Sequence, residues 1–581
     1  MIDLRRLVAS PRPHERLTPR ASRVGDHVHL QLRRVWPDQA GRFVAALSDG
    51  LSDLPVVWVD VRLLDGLLVL ALDPGAAHGA HGADRADRAH GADRADRADR
   101  ADRADERTVA AVVAAVEAAE ARAGLDCNPF PEHRHGSPVE DEPLLRAAAE
   151  VVADVFSFGL GVTLRALQVP RPPIEVDVEG IVALVQNVPG LRRTLARWVG
   201  RATAEATAGL AAALAGGVFQ NLVSPVVGVA YHSLRLGELR ARQEAWLAAE
   251  PRLYGPSAEA SAAGASSEVA ERPLPRPPGP VERTAEMTWV ASLGTFVATL
   301  PLLGSVENAL SMLASGAPKA ARLGREAFGS HLSRDLGRRG IVVLRPGSLR
   351  LLDQVDVVVI DGRLWNGASE AGARLERVAA ANELGLIVVG GPGRGARAGK
   401  RSRGGSEGTA DEAVLRVPAS AGPGEVRRLQ TVGRVVATVG GPSFAPLAAG
   451  DLPIGVVGNG GRAPDGSHVI CPGGLPDVAR VLSACRPARQ ASRESANLSL
   501  VGAVAGALLA IAPALGPRRL PRVLTAIDTA ALAAIGNAVR HARHAERTGP
   551  DRDPADASGL PGPVPVSVLD SCSDGEEAAL A

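Results

Sequence analysis

The sequence is poor in aromatic residues and carries almost no net charge. Phe, Trp and Tyr together make up 3% of the 581 residues, and the formal net charge at pH 7 is +1. A nucleic-acid-binding surface needs an excess of basic residues to neutralise phosphates, and it uses aromatic rings to stack bases. The composition therefore gives no support for a nucleic-acid partner, and we expect none.

Cysteine is also scarce, with Cys127, Cys471, Cys485 and Cys572 spread along the chain and no CxxC pair among them. Neither a disulfide framework nor a thiolate metal site is indicated by this spacing. Met1 is followed by a charged, Pro-containing stretch instead of an apolar one, so the sequence predicts no secretory signal.

Apolar residues reach 46% of the chain, with a mean hydropathy of +0.05, and they are concentrated in segments. Residues 496–517 lack charge and approach the ~20 residues that cross a bilayer, so this is the strongest predicted span. The weaker candidates are residues 151–167, 207–234, 287–306 and 523–539. The alternative for all of them is a set of buried helices in a soluble, Ala-rich protein. Basic flanks at 192–201 and 235–243 are expected on the cytoplasmic side.

The amino-terminal part predicts a small α/β module in the order β-α-β-β-α. HVHLQLRRV alternates as a strand does, DQAGRFVAALSDGL has helical apolar spacing, and VVWVDVRLLDGLLVLALD predicts two strands joined by a turn at Asp65 and Gly66. A helix is expected over residues 108–125. An ADR-rich low-complexity insertion at 77–106 interrupts the module, and a solvated helix or a disordered loop fits it better than a docking surface.

The segment VVVIDGRLW places an aspartate, Asp361, directly after a run of β-branched residues. Such a run predicts a buried parallel strand, and open α/β sheets place their reacting groups at the carboxyl ends of these strands. Downstream, EVRRLQTVGRVVATVGGPSFAPLAAGDLPIGVV predicts a helix and two further strands, with the loop from Gly440 to Ala445 between the strands.

These segments resemble P-type cation-transporting ATPases in order and spacing. Asp361 aligns with the phosphorylated aspartate of the DKTGT motif, and the Gly440 to Ala445 loop aligns with GDGxND, whose acids hold magnesium. Pro318 aligns with the helix-breaking proline of the CPC triplet, flanked here by Ala317 and Lys319. LGLIVVGGPG matches the TGD region without its acid. The amino-terminal module resembles the ferredoxin-like heavy-metal-associated domain, without the cysteines of its loop.

The resemblance implies a fold class of α/β domains plus membrane helices. The expected parts are a tail (1–20), a degenerate heavy-metal-associated-like domain (21–125), a linker (126–149), membrane helices and stalk (150–330), a reduced HAD-like phosphorylation domain (331–484), carboxyl-terminal membrane helices (485–545) and a disordered tail (546–581). Roughly twenty residues follow Asp361 where an active pump carries a nucleotide-binding domain, and a domain needs on the order of fifty or more. Residues 244–283, where the actuator domain would stand, are expected to lack structure.

These differences from the family predict a catalytically degenerate membrane protein with a structural or regulatory role in cation transport, most like the inactive amino-terminal half of some large bacterial P-type ATPases. Asp361 is then a remnant phosphorylation site that is inactive, no metal or cofactor is expected, and the partners are the membrane, an intact P-type ATPase or a second copy. An active pump with divergent motifs remains the alternative, with ATP and magnesium as cofactors and Pro318, Lys319 and Glu307 on the ion path. A soluble scaffold is a third possibility. The expected location is the plasma membrane, with several spans and cytoplasmic soluble domains.

Overall fold

The computed structural model describes residues 15–16, 21–24, 27–64, 66–72, 91–130, 141–168, 222–253, 272–303, 306–365, 369–390, 414–419, 422–457, 463–512 and 520–547. Its parts are an amino-terminal antiparallel sheet, a group of long helices and a mostly parallel sheet. The predicted turn residue Asp65, residues 77–90 of the low-complexity insertion, residues 192–201 and residues 207–221 lie outside the described residues. Of the two predicted tails, the structure describes a short strand in the first and helical residues 546–547 in the second.

The amino-terminal sheet has five strands in the order β1-β2-β3-β5-β4, all antiparallel. Its elements are β1 (Glu15–Arg16), β2 (Ala21–Val24), β3 (His27–Gln31), α1 (Pro37–Leu51), β4 (Val56–Arg62), β5 (Leu67–Leu72) and α2 (Gly91–Arg122). Pro37 begins α1, and the Gln39 side chain accepts a hydrogen bond from the Trp36 amide at 3.3 Å, which closes the helix start. The structure confirms the predicted first strand as β3, the helix after it as α1, and the strand pair as β4 and β5. Helix α2 begins within the insertion, so residues 91–106 are helical.

In the described part of the chain, seven long or medium helices follow in two groups. They are α3 (Asp141–Ala166), α4 (Val223–Leu253), α5 (Pro280–Leu303), α6 (Val306–Ser315), α7 (Lys319–Arg338), α12 (Cys485–Ile511) and α13 (Leu520–Arg547). Helix α3 begins inside the segment predicted to be a linker. Helix α4 continues to Leu253 and α5 begins at Pro280, so the expectation that residues 244–283 lack structure is wrong for 244–253 and 280–283. The reason is burial: Trp246 and Leu253 are both 2% exposed, against the two sheets.

The second sheet has seven strands in the order β6-β12-β11-β10-β7-β8-β9, parallel except for β6. Its elements are β6 (Val342–Val343), α8 (Pro346–Leu349), β7 (Val357–Asp361), α9 (Glu370–Ala381), β8 (Gly385–Val389), β9 (Val414–Val417), α10 (Gly422–Thr431), β10 (Val436–Gly440), β11 (Leu452–Val456), β12 (Val469–Cys471) and α11 (Leu475–Ser483). Its apolar core continues into α7, α12 and α13, so the sheet and these helices share one core.

Three helical stretches are long and apolar enough to cross a membrane in the part of the chain that the structure describes: Pro143–Ala166, Leu475–Ile511 and Pro521–Arg547. They include the predicted spans at 151–167 and 523–539 and most of the one at 496–517. The predicted span at 287–306 is not among them, and its residues belong to two helices, since α5 ends at Leu303 and α6 begins at Val306. Exposed large apolar side chains mark α3, α5 and α12, namely Val152, Val155, Phe156, Val162, Met287, Val290, Val297, Leu500, Val501, Val504 and Leu508.

The amino-terminal sheet docks on the end of α4. Glu250 of α4 accepts hydrogen bonds from His29 Nε2 at 2.7 Å and from His27 Nδ1 at 3.2 Å. A second contact joins the two sheets directly, since Arg62 donates to the carbonyl of Pro464 at 3.1 Å and is 2% exposed. A polar side chain this deeply buried at a domain junction is satisfied only while the domains stay together.

The middle of α4 is fixed by a buried ionic group. Glu238, 1% exposed, accepts hydrogen bonds from Arg235 at 2.6 Å and from Ser330 of α7 at 2.8 Å. Burial alone raises the pKa of Glu238, but the neighbouring arginines outweigh this, so its pKa is lowered. Arg242 donates to the Val343 carbonyl at 2.7 Å, and burial lowers the pKa of Arg242 to about 10. Near the start of α4, His232 bonds Asp154 of α3 at 2.7 Å.

Candidate functional site

The strongest candidate site lies where β7 and β10 end side by side. In the sheet, β8 and β9 lie on one side of β7, and β10, β11 and β12 lie on the other side. Such a reversal of strand order opens a crevice at the carboxyl ends of the two central strands, where ligands of open α/β sheets bind. Asp361 is the last residue of β7 and Gly440 the last of β10, so the structure places both sequence-predicted segments at this point.

The Asp361 carboxylate is hydrogen-bonded to Arg363, which lies two residues later in the chain. Arg363 Nη2 donates to Asp361 Oδ2 at 2.7 Å, and Arg363 Nε lies 3.0 and 3.1 Å from the two carboxylate oxygens. The Arg363 amide also donates to Oδ1 at 3.0 Å. Hydrogen bonding to Asp361 raises the pKa of Arg363. Asp361 itself is 3% exposed, so the guanidinium covers the carboxylate on its open side.

The same guanidinium crosses to the neighbouring strand end. Arg363 Nη1 donates to Ser443 Oγ at 2.6 Å. Ser443 belongs to the loop that aligns with GDGxND, so one side chain ties the two halves of the crevice together. Sequence reasoning identified both segments but not Arg363 as the residue that joins them. The signal was present, because an arginine two residues after a strand-end aspartate can fold back on it.

The Gly440 to Ala445 loop has no acidic side chain with which to bind a metal ion. Gly440 lies under the ring of Phe444, since a Cβ on Gly440 would lie 2.2 Å from Phe444 Cδ1. Phe444 is 7% exposed and fills the place beside the strand end. Magnesium takes hard oxygen ligands, mainly carboxylates, and Gly441, Ser443 and Ala445 supply none. The residues present do not fit a magnesium ion, and in the described residues no group of three or more His, Cys, Asp or Glu could hold a metal.

The connection from β7 to β8 is short. It contains α9, a helix of 12 residues, whose amino-terminal cap is Ser369 with its hydroxyl accepting from the Gly372 amide at 3.1 Å. The segment that aligns with the TGD region forms β8, and its last three glycine-rich positions lie outside the described residues. A twelve-residue helix covers one face of the sheet and has no core of its own.

A second candidate site lies at the break between α6 and α7. Helix α6 ends at Ser315 and α7 begins at Lys319, with Pro318 at the junction, so the predicted helix break is present. Lys319 Nζ lies 2.5 Å from Asp528 Oδ1 of α13, and Asp528 is 4% exposed. Glu307 lies in α6, but its side chain is outside the described residues. Sequence reasoning named Lys319 and missed its partner, since the two residues are 209 positions apart.

A buried aspartate connects the sheet to the helices. Asp353 Oδ2 accepts a hydrogen bond from Ser492 of α12 at 2.7 Å, while its other oxygen, Oδ1, is buried and has no hydrogen-bond partner. Burial raises the pKa of Asp353 to about 6. This carboxyl therefore changes charge close to neutral pH, at the junction between α12 and the turn that precedes β7.

The comparisons with known proteins point to cation-transporting ATPases. No model of a known protein family matches the chain. "Probable cation-transporting ATPase I" of two strains of Mycobacterium tuberculosis is 29% identical over 261 residues, which cover 39% of this chain. The protein of the same name from Mycobacterium leprae is 28% identical over 283 residues, 43% of this chain. The chain spans 16 to 17% of the length of these curated relatives.

A search of solved structures gives a likeness to the crystal structure of a zinc-transporting PIB-type ATPase in its E2.Pi state. That likeness has 14% sequence identity and a TM-score of 0.36, and it covers 69% of this chain and all of the other chain. Over part of its length, this chain is related in sequence to proteins named cation-transporting ATPases.

Proposed function

We propose that this chain is a catalytically degenerate, P-type-ATPase-like membrane protein with a structural or regulatory role in cation transport. The observation that supports this most is the bonding of Asp361. Its two oxygens receive four close contacts from the Arg363 side chain and amide, three of them at 3.0 Å or less and one at 3.1 Å.

An aspartyl nucleophile needs an unengaged oxygen and a metal ion beside it. Phosphoryl transfer is accelerated by positioning and by cations that neutralise the charge of the transferred group. In this chain the cation next to Asp361 is a guanidinium that the protein itself supplies, and it is anchored on Ser443 as well. Arg363 therefore neutralises the carboxylate in place of a metal ion, and no step of an ATP-driven cycle is assigned to Asp361.

The proposed location is the plasma membrane, with several spans and with both sheets in the cytoplasm. The exposed apolar side chains of α3 and α12 support contact with lipid, because monomeric soluble proteins rarely expose large contiguous apolar surface. Arg540, Arg543 and Arg547 lie in the last turns of α13, at the end nearest the parallel sheet. Basic residues at the end of a span favour the cytoplasmic side.

Such a protein would act beside an active transporter. An intact P-type ATPase, encoded separately or within a longer chain, is the proposed partner, and a second copy of this chain is the alternative partner. The similarity to a small part of much longer ATPases supports the first choice.

An active cation-transporting ATPase is the second candidate, and Lys319 favours it. A charged pair beside a broken helix, with Asp528 inside a candidate span, is the kind of group that lines an ion path. In this case Asp361 would be phosphorylated, with ATP and magnesium as cofactors and Pro318 and Glu307 next to the path.

Phosphoenzyme formation separates the two candidates. Purified full-length protein is incubated with radiolabelled ATP and magnesium, quenched in acid and tested for hydroxylamine-labile phosphate, with an intact P-type ATPase processed in parallel. We expect no labelling of this chain. Labelling that disappears in Asp361→Asn would overturn the degenerate assignment and establish the active pump.

A further inference from the structure

The last turns of α13 carry a basic cavity that the proposed function does not use. It has a volume of about 280 Å³ and is lined by Gly536, Val539, Arg540, Arg543, His544 and Arg547. The lining residues recur at intervals of three and four positions, so they share one face of the helix. The face combines a small apolar floor, from Gly536 and Val539, with four exposed basic side chains.

Two of the arginines are available for a ligand. Arg540 is partly engaged, since it donates to Asn537 at 2.5 Å and lies 3.6 Å from Glu494. Among the residues that the structure describes, no acidic side chain forms an ion pair with Arg543 or Arg547. The exposed carboxylate on the same turn, Glu546, lies 4.0 Å from Arg339 of α7 instead. The cavity therefore presents uncompensated positive charge.

The cavity lies at one end of the candidate span Pro521–Arg547. Helices α12 and α13 are antiparallel, because Glu494 bonds His541 at 2.9 Å while Gly506 lies against Val523. The cavity is thus at the end of α13 nearest the parallel sheet. Charged side chains at the ends of spans lie at the membrane surface.

We propose that this cavity binds the headgroup of an anionic phospholipid in the cytoplasmic leaflet. Arg543 and Arg547 would hold the phosphate through charge-assisted hydrogen bonds, and Val539 would contact the start of the acyl chains. The inference rests on the membrane location in the proposed function but not on the state of Asp361.

The test uses the full chain purified in a neutral detergent. Short-chain phosphatidylglycerol, phosphatidylcholine with the same acyl chains, and inorganic phosphate are titrated separately, and binding is followed by native mass spectrometry and by the midpoint of thermal unfolding. We expect phosphatidylglycerol to bind and to raise the midpoint, with little effect of the other two. The double variant Arg543→Gln/Arg547→Gln should bind it roughly tenfold or more weakly.

The matched control is Arg377→Gln/Arg416→Gln, which removes the same charge from exposed positions on the parallel sheet domain. This control should bind phosphatidylglycerol as the unchanged protein does. Binding of phosphatidylcholine or of inorganic phosphate as tight as that of phosphatidylglycerol, or an equal loss of binding in both double variants, would each overturn the proposal. Carbonate extraction of the expressing membranes checks the location separately: release of the chain would contradict the proposed membrane role itself.

Discussion

Lys319 at the start of α7 and Asp528 in α13 lie 2.5 Å apart, nitrogen to oxygen, and join two helices that are distant in sequence. The side chain of Asp528 is 5% exposed and that of Lys319 is 22% exposed, so the pair is largely shielded from water. Removing one member of such a pair leaves the other charge buried without a partner.

Asp528→Leu should therefore destabilise the protein by about 3 kcal/mol, because it leaves Lys319 unpaired. The double variant Lys319→Met/Asp528→Leu should be close to the unchanged protein, since it removes both charges. Thermal unfolding in detergent measures both. If the single and double variants lose the same stability, the pair does not couple α7 to α13.

Close packing of α7 against α12 gives a second prediction. A Cβ on Gly324 would lie 2.0 Å from Ser495 Oγ and 2.6 Å from Ser495 Cβ. Gly324→Ala should therefore lower the unfolding midpoint even though alanine favours a helix, and Ser495→Gly should restore part of the loss in the double variant. Gly294→Ala, in α5, is the control, since nothing lies within 4 Å of its added Cβ. A midpoint for Gly324→Ala at or above that of the unchanged protein would contradict this packing.

Docking of the amino-terminal sheet should depend on pH through Glu250. Burial raises the pKa of this carboxyl, but hydrogen bonds and charge from His27 and His29 lower it by more, so the pKa lies below its ordinary 4.5. Because the pKa of Glu250 is lower in the folded state than in the unfolded state, the ionised carboxylate stabilises the docked sheet at pH values above the unfolded-state pKa. This stabilisation is lost as the pH falls through the folded-state pKa. Hydrogen exchange of β3 should increase below about pH 4.5 for this reason.

The variant Glu250→Gln should show faster exchange in β3 already at pH 7, with less change on acidification. Asp38→Asn, an exposed change on α1, serves as the control and should behave like the unchanged protein. Exchange in β3 that is the same in all three proteins would show that Glu250 does not hold the sheet on α4.

Asp353 should destabilise the protein above about pH 6. Its folded pKa of about 6 is above the ordinary 3.8, so the folded state binds the proton more tightly, and stability falls as the pH rises between these values. Asp353→Asn keeps an oxygen for Ser492 and removes the charge. We expect it to raise stability by about 1–3 kcal/mol at pH 8, with the gain vanishing below about pH 4. Exposed Asp53→Asn should give no such pH-dependent gain, and an equal gain at both pH values would refute the assignment to Asp353.

The sequence predicted the elements whose pattern is local. Alternation in β3 to β5, the β-branched run before Asp361 and the proline break at Pro318 all depend on neighbouring residues, and each is present in the structure. Three of the predicted apolar spans also lie in helices that are long and apolar enough to cross a membrane. Local patterns are informative because side-chain periodicity follows directly from helix and strand geometry.

The contacts that define the sites were not predictable in this way. Glu250 meets His29 across 221 positions of sequence, and Arg363 reaches Ser443 across 80. The extension of α4 to Leu253 was also missed, because the small residues and prolines that follow it indicated a loop. Its apolar face becomes a reason for helix formation only when both sheets lie against it, as the burial of Trp246 shows.

Helix α4 has 31 residues, which corresponds to about 46 Å at 1.5 Å per residue. It meets the candidate span α3 through His232 at one end and the amino-terminal sheet through Glu250 at the other. A continuous helix resists bending, so α4 holds α3 and the amino-terminal sheet at a fixed spacing along its axis, and the buried Glu238 group anchors it to α7 between these contacts. A change in the tilt of α3 would therefore be passed along α4 to the amino-terminal sheet, without any ligand passing between them.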